Sequence, residues 1–196
     1  MKINLELIKK FEPYYSLILE FEKEYPNYNG ELEEFLKLEK IGFQTKTWVA
    51  VRLMTRTQLV KFAISCVEPI LPIFEEKYPE DKSPRACLEY LKTYGSFENL
   101  TEDQINEIRK HRYVVLISTF DSISALLSAL NIPVYVAYSG DPNGADNAAK
   151  AIYFYLRDDA DTQKTHEEKC LGFVLDVLKE NEMGLFKENR NQYENE

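Results

Sequence analysis

Glycine is scarce in this chain, with seven in 196 residues. All-β folds spend glycine on tight turns, so its scarcity points towards helices. Cysteine is scarcer still. Cys66, Cys87 and Cys170 are odd in number, far apart and free of any CxxC pair. That argues against a disulfide framework and against a thiolate zinc site. Basic charge is in deficit, with 24 Lys and Arg against 33 Asp and Glu, a formal net charge of -9. Affinity for a phosphate backbone comes from clustered Lys and Arg, so the balance excludes a nucleic-acid partner. No unbroken apolar run reaches the roughly 20 residues of a membrane span. The most apolar stretch, residues 114–137, is interrupted by Asp121, Asn131, Pro133 and several serines. The opening MKINLELIKKFEPYY has no continuous apolar core of the kind a signal peptide needs. The chain therefore reads as soluble and cytoplasmic, with no membrane partner.

Apolar residues make up 44% of the chain and charged residues 29%, an ordinary globular balance at a length that can bury a core. No repeat and no long linker divides it. The expected architecture is all-α: a single-domain multi-helix bundle over 1–186, its helices kinked at prolines, with a frayed polar tail over 187–196.

Helical spacing recurs through the chain. Leu5 to Glu24 carries Leu7, Ile8, Phe11, Tyr15, Leu17, Ile18 and Phe21, with Pro13 at a restart or kink. Glu31 to Ile41 follows, with acids in its first turn and Gly42 as its stop. Thr45 or Thr47 can cap a helix running through Trp48 and on to Val67, where Pro69 and Pro72 break it. Ser83 is placed to cap the next helix with Pro84 at its first position. Thr101 and Gln104 have capping-box spacing for a helix reaching about Leu130. A turn over 139–144 precedes two last helices.

Chemical motifs are few. His166 and Cys170 share a helix face, but two ligands are not a metal site. The acids from Asp158 fail the calcium-loop pattern at its glycine and its bidentate glutamate. The glycines at 140 and 144 match neither phosphate-loop signature. No nucleophile sits beside either histidine. Nothing nominates a catalytic group or a cofactor, and a non-catalytic protein is the favoured reading. Asp121 lies on a stripe of small residues in an apolar helix; a carboxylate buried there needs a partner such as Arg112, Arg109 or Arg85. That constellation supports an alternative: a helical enzyme or small-ligand protein with a charged pocket inside the bundle.

One segment is distinctive in the order of its residues. It runs Ile70-Leu71-Pro72, Phe74-Glu75, Tyr78-Pro79, Asp81, Pro84-Arg85 and Glu89. Asp81 and Arg85 are four apart and can pair locally around a helix start. This segment resembles the Imm-five-like members of the immunity-protein family found beside bacterial polymorphic toxins. The preceding helix, with Trp48, Arg56 and Ala63, is also similar. Ser83 departs from the family, which usually has Arg there, and Cys87-Leu88 replace a small-plus-aliphatic pair. The N-terminal forty residues have no counterpart. The resemblance implies a mainly helical, non-catalytic protein that binds and neutralises a cognate toxin. It makes Glu75, Asp81 and Arg85 candidates for a binding role. The acidic balance would suit a basic toxin. A homo-oligomer acting as a structural partner is a third reading.

Overall fold

A handful of polar side chains and prolines set where the helices of this chain start and stop. The computed structural model describes residues 2–110, 128–155 and 164–179, the backbone alone at 152–155. Asp121, Arg112 and the tail 187–196, singled out in the sequence, lie outside the described residues. Among the described residues the fold is all-α apart from two three-residue strands. Two compact units meet in sequence at Leu53 and Met54.

In the first unit, β1 (Lys2–Asn4) pairs antiparallel with β2 (Asn29–Glu31), Ile3 lying opposite Gly30. Lys2 and Glu31 face each other across the pair and form an ion pair of 3.2 Å. Asn4 ends the strand and caps α1 (Leu5–Lys9) by accepting from the Leu7 N–H at 2.9 Å. Pro13 restarts the chain as α2 (Tyr15–Glu24). Glu31 and Glu34 form a capping box that opens α3 (Leu32–Leu36). Phe21 and Phe35, both fully buried, cluster with Tyr25 and Tyr28 at centroid distances of 6.0–6.3 Å. Gly42 does not stop a helix as the sequence suggested. Its extended backbone (φ -66°, ψ 155°) makes it the N-cap of α4 (Phe43–Val51). Trp48 is buried, with the Arg52 guanidinium 3.5 Å above its ring and donating to its carbonyl at 2.9 Å.

In the second unit, Thr55 caps α5 (Arg56–Val67) and exchanges bonds with Gln58 in a capping box. That box divides what the apolar spacing predicts as one helix from Thr45 to Val67. A 3-10 turn, Glu68–Ile70, leads into α6 (Leu71–Lys77). Pro69 and Pro72 sit in the first positions of these two elements, where a missing N–H costs nothing. Then come α7 (Ser83–Lys92) and α8 (Glu102–Lys110), the latter opened by the expected Thr101–Gln104 box. The last described helices are α9 (Ile132–Ser139), α10 (Pro142–Tyr155) and α11 (164–179).

The core of this unit is α5, buried at Leu59, Val60, Phe62, Ala63, Ile64, Cys66 and Val67. It packs against α9 and α10. On α10, Gly144, Ala145, Ala148 and Ala149 are all buried, and small side chains there let helices approach closely. The buried Gln58 amide donates to the Val177 carbonyl of α11 at 3.2 Å. Asp146, also buried, is paired with Lys150 one turn on, at 2.6 Å. The run Arg56–Lys77 is long and apolar enough by composition to cross a membrane. Most of its apolar side chains are buried in this core, Ile73 excepted.

Candidate functional site

The three described site residues lie on one corner, where α6 turns into α7. Phe74 holds the end of α6 in the core, 2% exposed, with the Tyr78 ring 5.2 Å away. Pro79 cannot continue the helix, and the Asp81 N–H closes the turn on the Tyr78 carbonyl at 3.1 Å. Helix α7 begins one residue earlier than the sequence suggests, so Ser83 is its first residue and Pro84 its second. Ser83 is not the cap. Its N–H and hydroxyl both bond the Asp81 carboxylate, the N–H at 2.9 Å. Pro84, Cys87, Leu88 and Leu91 turn the buried face of α7 inward.

Arg85 reaches back ten residues instead of four. Its guanidinium grips Glu75 as a fork, Nε to Oε1 and Nη2 to Oε2, both 2.6 Å. The expected Asp81–Arg85 pair does not form. Asp81 stands before the helix and not on its surface, so four-residue helical spacing does not apply to it. Lys92 adds a second tie, joining Glu89 at 3.0 Å and Glu68. The fork and this tie fix α7 against the segment 68–77. Both partners of the fork reach solvent, with side-chain exposures of 48% for Arg85 and 21% for Glu75. Exposed pairs of this kind contribute little stability. Their consequence is orientation: Ile73, Glu76, Lys77, Tyr78 and Glu80 are presented outward.

Charge states follow from these contacts. The hydrogen bonds from Arg85 hold the Glu75 carboxyl below its ordinary value of 4.5. Burial pushes the Cys87 thiol up to about 12. Burial, then the neighbouring Cys170, pushes Cys66 up as well. These thiols stay protonated at neutral pH, so neither is a thiolate nucleophile. His166 is held below its ordinary range by burial and by Lys169. Its helix neighbour Cys170 is fully buried. Among the described residues, no three His, Cys, Asp or Glu side chains group around a metal position.

The fork predicts a pH signature. Because the folded Glu75 titrates below 4.5, its contribution is present above that pH. It is lost as pH falls through the lowered folded value. Thermal melts of wild type and Arg85→Ala should differ slightly at pH 7 and draw together as the pH falls below 4.5. A gap that widens on acidification would remove the Glu75–Arg85 assignment.

No curated protein and no solved structure matches this chain. The family described as Imm-5 like putative immunity protein matches residues 50–99. The match takes in α5, α6, the corner and α7, and covers about a quarter of the chain. The resemblance carried by Ile70-Leu71-Pro72 through Glu89 is thus shown: over residues 50–99 this chain is similar to the Imm-5-like immunity family.

Proposed function

We propose that this chain is an immunity-type protein that binds and neutralises a cognate bacterial toxin in the cytoplasm of the cell that makes both. The supporting observation is the family match at 50–99, which coincides with the braced α5–α7 segment. Neutralisation is by occupation of the toxin and involves no catalysis or cofactor. The net charge of -9 favours a basic toxin, whose capture it accelerates. The reading of a charged pocket inside the bundle loses support at Arg85, because that guanidinium is engaged by Glu75 on an exposed corner.

Co-expression tests the proposal. The protein encoded beside this gene should arrest growth when expressed alone, and this chain should restore growth. Equal arrest with and without the chain would overturn the reading. Raising salt from 50 to 500 mM should slow association of the purified pair, because the steering charges are screened.

A further inference from the structure

The most exposed aromatic residues described are Tyr14 and Tyr15, each 74% exposed, at the start of α2. One turn on, Leu19 is 45% exposed. Leu17 and Phe21 bury the opposite face of the helix, so Tyr15 and Leu19 lie on its outward stripe. The turn that presents them is conformationally costly. Glu12 has φ 52°, in the left-handed region, although it is not glycine and precedes Pro13. Neither tyrosine hydroxyl has a described bonding partner. Tyrosine is a favoured interface anchor, since it offers a large rigid surface with few rotors to freeze.

The surroundings select the occupant. The nearby lysines Lys9 and Lys23 are already paired with Glu22 (2.8 Å) and Glu24 (3.2 Å). Glu12 has no cationic partner among the described residues. Lys40 also bonds Glu24, at 2.8 Å, and Lys10 is exposed two residues before Glu12. Over residues 6–24, Glu6, Glu12, Glu20, Glu22 and Glu24 stand against Lys9, Lys10 and Lys23, so the rim keeps a small acidic excess. A second copy of this chain is a poor fit. Two-fold pairing would set these glutamates against themselves. The apolar face offers on the order of 300–400 Å², so it is an anchor within a larger interface of about 800 Å² per partner and not the whole of one.

We propose that the Tyr14–Tyr15–Leu19 face of α2 is an anchor of the toxin-docking surface, received by an apolar pocket with a basic rim on the toxin. This rests on the immunity reading and names the surface through which it would act.

The test uses the full-length chain, with the protein encoded beside its gene as the probe. Tyr14→Ala/Tyr15→Ala should weaken binding about a hundredfold or more, with the melting temperature unchanged because both rings are exposed. Glu12→Lys should slow association. If wild type binds and the double variant binds equally well, the docking face is wrong and the immunity reading stands. If wild type does not bind at all, the immunity reading falls and takes the docking face with it. Sedimentation at tens of micromolar should show a wild-type monomer. A dimer that the double variant dissolves would give the face to self-association and overturn the proposal.

Discussion

Phe62→Ala should cost the chain about 3–5 kcal/mol of folding stability. The ring is fully buried near the middle of α5, among the largest side chains to be so. Leu59, Val60, Ala63 and Ile64 beside it are buried too, so most of what surrounds the ring is packed core. Across from α5, the described buried positions of α10 are mostly alanine and glycine, with little side chain to swing inward. The cost therefore includes most of the cavity as well as the lost transfer energy. Against a total of about 5–15 kcal/mol for a domain, that is a large share. Urea unfolding at pH 7 should show a lower midpoint with an unchanged slope. Ile73→Ala, at 37% exposure on α6, is the control and should cost under about 1 kcal/mol. Equal losses in the two variants would remove α5 from the centre of the core.

What the sequence made legible was mostly punctuation by single residues. Pro69 and Pro72 break the helix where expected, and Thr101 with Gln104 starts α8 as read. The failures have physical causes. Leu53 and Met54 carry apolar spacing straight through the gap between α4 and α5. The Thr55–Gln58 box that ends the continuity is a hydrogen-bond fact and not a hydropathy one. Three-residue strands show too little alternation to register. At the corner, the sequence spacing pairs Asp81 with Arg85, whereas the structure joins Arg85 to Glu75. A ten-residue reach across a turn has no periodic signature, whereas a four-residue spacing has one. Tyr15 fell within the helical apolar pattern of α2, and periodicity alone does not tell the core side of a stripe from an exposed one. Its exposure, and that of Tyr14, is visible only in the folded chain.

Gly140→Val should destabilise the protein by about 1–3 kcal/mol, chiefly through the backbone. Gly140 ends α9 at φ 67° and ψ 18°, and its N–H closes the helix on the Val136 carbonyl at 2.8 Å. Only glycine takes that conformation without a Cβ penalty, and a β-branched residue takes it worst. A second contribution is steric. A Cβ at 140 would stand 2.8 Å from Arg56 Nε. Arg56 Nη2 donates to the Tyr138 carbonyl at 3.3 Å, placing a cation at the negative end of α9. Displacing it loses that bond and the tie from α5 to α9. The two causes separate by choice of substitution. Asparagine tolerates the left-handed region but has a Cβ, so Gly140→Asn should cost clearly less than Gly140→Val if the backbone dominates. Equal costs would make the collision with Arg56 the cause. In that case Gly140→Val should lose most of its effect in an Arg56→Ala background, a coupling that a double-mutant cycle in urea reads directly.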